Sequence, residues 1–155
     1  SKMKVLFLVS ILSVVLPSTV HGRSSGSPTC NTDRPGHGAI QPQTSDVSGF
    51  YTVNVDKSVS GTVTVTVSTI GNNVFKGIMI TVDGKDLQSN AQNVWSLDNS
   101  NAQNNLRTMS CPGVTHKGKA EKSGTFEVSL NYTGAVPGVR VIILQSYSTF
   151  WSNLY

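Results

Sequence analysis

Apolar and polar residues alternate along much of the chain. From Thr62 to Ser68 the alternation is strict, with Val63, Val65 and Val67 on one face and Thr62, Thr64, Thr66 and Ser68 on the other. One apolar and one polar face marks an antiparallel strand whose sheet meets a core on one side and water on the other. Phe50 to Val55 and Thr125 to Tyr132 follow the same rule, the latter with Phe126, Val128 and Leu130 inward. Phe75 to Val82 is more continuously apolar and is closed by Asp83-Gly84. Val139 to Tyr147 holds Val141, Ile142, Ile143 and Leu144 in a row, which suits a central strand covered on both faces. Leu106 to Cys111 reads as a short strand running into Pro112-Gly113, and Gly71-Asn72-Asn73 and the stretch from Gly134 to Gly138 read as turns.

Two stretches depart from the pattern. Cys30 to Thr44, with Pro35, Gly36, Gly38 and Pro42, reads as an irregular arm. Asp86 to Asn105 is crowded with asparagines and glutamines. It reads as a long loop pinned by Val94-Trp95-Ser96-Leu97, which could itself form a short strand. Its asparagines suit turn chemistry on a solvated surface. No stretch beyond the leader shows helical periodicity. The expected fold is all-β: an immunoglobulin-like antiparallel β-sandwich of about seven to nine strands. The Cys–Trp–Cys pattern of true immunoglobulin domains is missing, because Cys30 precedes the first clear strand.

Residues 1–22 stand apart from this domain. Met3-Lys4 is a short basic start, Val5 to Leu16 is an apolar run broken only by serines, and Val20 and Gly22 are small enough for cleavage after Gly22. That is the pattern of a secretory signal peptide, too short for a membrane span of about 20 residues. Ser1-Lys2 read as two extra residues ahead of the natural start. Residues 23–29, rich in serine and glycine, read as a flexible leader, and 30–155 as the sandwich domain.

Export changes what the charges and cysteines mean. The chain has 12 Lys+Arg and 8 Asp+Glu. Without Lys2 and Lys4 the balance falls to +2, so neither nucleic acid nor a membrane is implied as a partner. Cys30 and Cys111, the only cysteines, are expected to pair in an oxidising compartment. Such a bridge closes a loop of about 80 residues, worth ~3–5 kcal/mol in the chain-entropy picture. A metal role for the pair lacks partners at ligand spacing.

Chemistry-bearing residues are few. Two histidines, His37 and His116, and two glutamates, Glu121 and Glu127, follow the leader, and no catalytic or phosphate-loop motif is present. The expectation is no enzyme, no cofactor and no metal. The two histidines stand near the two cysteines and could approach one another through the bridge, although two imidazoles without a third ligand read more simply as loop residues bonded to backbone. His116-Lys117-Gly118-Lys119-Ala120-Glu121-Lys122 is the one basic cluster. It could meet the phosphates of lipopolysaccharide or teichoic acid, and its plainer reading is a solvated loop. The expected ligand contacts are His116, Lys117, Lys119 and Lys122. Asn131-Tyr132-Thr133 is an N-glycosylation sequon at a strand end. Phe150, Trp151 and Tyr155 are expected to dock the end of the chain onto the core.

Taken in order, Gly36-His37-Gly38, Pro42-Gln43-Thr44-Ser45, Ser60-Gly61-Thr62-Val63-Thr64-Val65, Phe75-Lys76-Gly77, Cys111, Thr115-His116 with a following lysine, and Tyr147-Ser148-Thr149-Phe150-Trp151 resemble the reeler domain family. That domain opens reelin and occurs in spondin-like and ferric-reductase-like proteins. The resemblance runs from Cys30 to about Ser152 and is strongest to stand-alone insect defense proteins such as noduler. The chain departs from the family at Leu130, where a tryptophan is common, and at Ile80-Thr81-Val82-Asp83. The resemblance implies a secreted, extracellular protein of the haemolymph, and the chain is expected to act as a monomer. It would bind microbial envelope glycolipids or polysaccharides (lipopolysaccharide, lipoteichoic acid or β-glucan) and promote haemocyte nodulation or antibacterial defense, with haemocyte surface proteins as further partners. The alternative is an extracellular adhesion or matrix module without a microbial ligand. The bridge is expected to clamp the arm carrying His37 beside the loop carrying His116 and Lys117.

Overall fold

The computed structural model describes residues 26, 40–83, 95–109, 112–152 and 154–155. A short 3-10 turn at Val47–Gly49 precedes β1 (Tyr51–Asp56), β2 (Thr62–Thr69), β3 (Gly77–Asp83) and β4 (Trp95–Leu97). Helix α1 (Ser100–Asn105) leads into β5 (Leu106–Thr108), β6 (Gly113–His116), β7 (Thr125–Asn131), β8 (Gly138–Leu144) and β9 (Phe150–Trp151). The strands form two antiparallel sheets, ordered β1-β2-β7-β4 and β5-β6-β3-β8-β9. This is the expected sandwich, with nine strands among the described residues.

The alternation sets which side chains face inward. Register pairs Val63 with Leu130, Val65 with Val128 and Val67 with Phe126, so one face of β2 and β7 is wholly apolar. Those residues meet Ile78 and Ile80 of β3 and Val139, Val141 and Ile143 of β8 in one core. Burying a side chain of this size contributes about 1.5–3 kcal/mol. Phe75 stands edge-on to Tyr51 and to Phe126, with ring centroids 6.3 and 5.0 Å apart. Two of the three terminal aromatics dock as expected: Phe150 is buried, and Trp151 packs 5.4 Å from Phe50 and donates its indole N–H to Ser45 O at 3.1 Å, whereas Tyr155 stays exposed beneath Lys57 Nζ.

The second sheet is buried on both faces. Met79, Ile142, Leu144 and Phe150 form a separate outer cluster, against which Ile40 of the arm and Met109 pack. The arm is held there by the Gln43 N–H, which donates to Phe150 O at 2.7 Å. Gly26, within the stretch expected to be a loose leader, is buried against Thr115. A Cβ there would lie 2.5 Å from Thr115 Cγ2, and φ is +97°, so only glycine fits.

Helix α1 corrects the expectation of a loop from Asp86 to Asn105. Its six residues turn only Ala102 to the core, too little for a periodic signal. Hydrogen bonds build it instead. Asn99 Oδ1 accepts from the Ala102 N–H at 2.7 Å, the N-cap bond of a helix. Asn101 Nδ2 donates to Ser123 O and Thr125 O, tying the helix to the start of β7. The short strand expected around Trp95 is β4.

Candidate functional site

Segments far apart in sequence converge where β3 starts. Phe75 and Lys122 form a two-way backbone bridge: the Phe75 N–H donates to Lys122 O at 3.0 Å and the Lys122 N–H to Phe75 O at 2.8 Å. The bridge draws Lys122 out of solvent, to 3% exposure. Its ammonium donates to Ala120 O (2.6 Å), Gly118 O (3.1 Å) and Lys76 O (3.3 Å), so each of its three protons has an acceptor. Burial pulls its pKa below the usual lysine range. The expectation that Lys122 belongs to a solvated, ligand-facing cluster is therefore corrected. Gly118, at φ +64°, bends the loop, whose carbonyls at Gly118 and Ala120 meet the Lys122 ammonium.

His116 is also turned inward. The β3–β6 ladder runs as far as Met79 opposite Thr115, and side chains take over at Ile78. Thr115 Oγ1 donates to Ile78 O at 3.1 Å, and His116 Nδ1 lies 3.2 Å from Ile78 N. With its proton on Nε2, the ring accepts that N–H. Gly77 leaves room for it, since a Cβ there would sit 3.1 Å from His116 Cε1. His116 thus closes the end of the β3–β6 pair and holds its ring inside the fold, 9% exposed. The Phe75-Lys76-Gly77 and Thr115-His116 motifs are two halves of one packing unit.

Lys117 and Lys119 do face solvent, in an exposed run covering residues 117–121. Lys117 is anchored to the end of α1: its N–H donates to Asn105 O at 2.7 Å and its Nζ to Gln103 O at 2.6 Å. A cation at a helix C-terminus is favourable. Lys76, which the sequence did not single out, joins this surface and pairs with Glu121 at 3.7 Å; both are more than half exposed. The pairing of Phe75 with Lys122 and the Lys76 N–H bond to Leu144 O bring Lys76 here, and no local sequence signal announces it.

Cys30, Cys111 and His37 lie outside the described residues. The expected clamp between the arm and the loop carrying His116 and Lys117 rests on those residues and lies outside the described part with them. The Met109 N–H donates to Gly113 O at the start of β6, whereas His116 and Lys117 stand at its far end, roughly 10 Å on at ordinary strand rise. Asn131 closes β7, is exposed, and accepts through Oδ1 from Thr62 Oγ1 at 3.1 Å. Among the described residues, no three His, Cys, Asp or Glu side chains gather as a metal site, and no helix is long and apolar enough to cross a membrane.

The family description that matches the chain is the reeler domain, over residues 28–155. A search of curated proteins finds no match. Among solved structures, the reelin-N domain of F-spondin is similar at 17% identity and a TM-score of 0.44, covering 65% of this chain and 75% of that one. The human F-spondin reeler domain is similar in two crystal structures. One has 17% identity and a TM-score of 0.45, covering 65% of this chain and 78% of that one. The other has 16% and 0.42, covering 66% and 89%.

Proposed function

The chain belongs to the reeler domain family, and from that premise we propose that it is a secreted, non-enzymatic binding protein of innate defense. Its loop at 117–121 contacts anionic groups of microbial envelope components such as lipopolysaccharide or lipoteichoic acid, and bound microbes are then presented to haemocytes. The observation that carries this reading is the loop's construction. Lys122 supplies three internal hydrogen bonds from below, so the exposed residues above it stand on a fixed base. A preorganised loop loses less freedom on binding than a loose one. Lys119 and Lys117, with Lys76 beside them, are the contacts proposed here; His116 and Lys122 are positioning residues.

Immobilised lipopolysaccharide and lipoteichoic acid test the reading. Binding is expected to weaken as salt rises, and Lys119→Glu with Lys117→Glu should weaken it about tenfold or more. Unchanged binding by the double variant rejects this loop. Failure of the wild-type protein to bind either component rejects the envelope reading. The second reading, an extracellular adhesion or matrix module, is favoured by one specific observation: two of the four expected contacts are occupied inside the fold. Binding to matrix or cell-surface protein without binding to either glycolipid would select it.

A further inference from the structure

We propose that Asn131 carries an N-linked oligosaccharide, rooted at the end of the sandwich opposite the loop at 117–121. The proposal rests on the export part of the functional reading and not on the envelope ligand. Asn131-Tyr132-Thr133 is the only Asn-X-Ser/Thr triplet in the sequence with X other than proline. The fold leaves it open where it must be open. Asn131 and Thr133 are exposed, while Leu130 and Tyr132 on either side are buried, so alternation puts the Asn131 side chain on the water-facing side of β7. Thr62 Oγ1 donates to Asn131 Oδ1 at 3.1 Å. That bond engages the carboxamide through its oxygen and not through Nδ2, the atom that would be glycosylated.

The surroundings suit a sugar. Along the same face lie Thr64 and Ser129, whose hydroxyls pair with one another at 3.0 Å and leave no apolar surface for the sugar to displace. Val59 and Val136, 62% and 55% exposed, stand in the two turns that flank the site. The first turn leads directly into the partner of Asn131, since the Thr62 N–H donates to Val59 O at 3.1 Å. The carbon-bound hydrogens of a sugar ring could cover both valines. Seven residues of β7, about 20 Å, separate this root from the start of the strand that the basic loop precedes.

The transfer is a displacement at the anomeric carbon of an oligosaccharide held on a lipid pyrophosphate. The Nδ2–C1 bond forms, the C1–O bond to pyrophosphate breaks, the amide proton passes to a base of the transferase, and lipid pyrophosphate leaves. It must precede closure of the fold, because Tyr132 is later buried with its N–H donated to Gly61 O at 2.8 Å.

The test is expression of the full chain, with its own leader, in a eukaryotic secretory cell line. Protein from the medium should drop in apparent mass by one glycan on treatment with peptide-N-glycosidase. Asn131→Gln and Thr133→Ala should abolish the drop, and Thr133→Ser should keep it. Thr133 is an exposed position, so its alanine variant separates loss of the glycan from misfolding. Secreted wild-type protein without the drop, a drop that survives Asn131→Gln, or an unmodified chain held in the cytosol would each overturn the proposal. Envelope binding is measured separately on the deglycosylated protein. Unchanged binding supports a root remote from the loop, and binding lost with the sugar overturns that placement.

Discussion

On the outside of the β5-β6-β3-β8-β9 sheet lie Met79, Ile142, Leu144 and Phe150, covered by Ile40 and Met109. On the outside of the β1-β2-β7-β4 sheet lie Thr62, Thr64, Thr66 and Ser68, opposite Asn131, Ser129, Glu127 and Thr125. The hydroxyls there pair across the strands: Thr64 with Ser129 at 3.0 Å and Ser68 with Thr125 at 2.9 Å. One sheet is a middle layer between the core and its own N-terminal arm, and the other is an outer wall against water. A face that keeps its polar atoms bonded to one another offers little to an apolar partner. A face that needs covering fixes the arm. The difference separates positions whose change unfolds the protein from positions whose change alters only its surface.

The largest test of that difference is Phe150→Ala. Phe150 is 1% exposed although it faces away from the central core. Its truncation should cost about 3–5 kcal/mol, as for a phenylalanine in any core, read from urea unfolding followed by the fluorescence of buried Trp95 and Trp151. A loss below about 1 kcal/mol would mean that the arm's cover is loose and that the two outer faces are alike. Lys122→Ala comes next. It strips the donor from three carbonyls and should cost about 2–3 kcal/mol. Lys122→Met restores the stem but not the donors, so most of the loss should remain. Hydrogen exchange should speed up at residues 118–121 and little elsewhere; uniform acceleration would show that Lys122 supports the whole sandwich.

How far the sequence reveals this arrangement depends on how local each cause is. The strict alternation of β2 and β7 carries its own answer, because period two and one buried face are the same fact. The unbroken apolar run in β8 announces burial on both sides. It does not say what covers the outer side, since Ile40 lies about a hundred residues away in an arm with no periodicity. The six residues of α1 escape notice because asparagine hydrogen bonds shape them and no apolar stripe does. Lys122 and His116 mislead for a related reason. A lysine in a charged run reads as solvated, and a histidine before it as a ligand contact or a loop residue bonded to backbone. The long-range partner Phe75 turns the lysine inward, and the backbone that the histidine meets is that of Ile78, in a buried strand. In hindsight Gly77 is the available clue: a glycine opening an apolar strand makes room for something, here the imidazole.

A reverse change sharpens the comparison from the wet side. Thr64→Val with Thr66→Val would give the outer wall an apolar stripe in place of hydroxyls. Valine suits a strand, so stability should stay within about 1 kcal/mol of the original. The exposed patch should instead promote self-association, visible as a concentration-dependent shift in size-exclusion chromatography. If the variant stays monomeric at every concentration, the polar character of this wall is not what keeps the chains apart.

The smallest effect is the most specific. Thr64 and Ser129 are directly opposed and share a hydrogen bond at 3.0 Å between half-buried hydroxyls. Each could bond to water instead, so losing one partner leaves no stranded charge and no cavity of any size. Cross-strand pairs of this kind couple by roughly 0.2–1 kcal/mol. A double-mutant cycle with Thr64→Val, Ser129→Ala and the combined variant isolates that coupling from the change in strand preference at each site. A coupling within this range is expected, with the two single losses failing to add. Strict additivity would mean that the hydroxyls prefer water to one another. The wall would then be an array of independent polar groups, open to a ligand in a way that a ladder of paired hydroxyls is not.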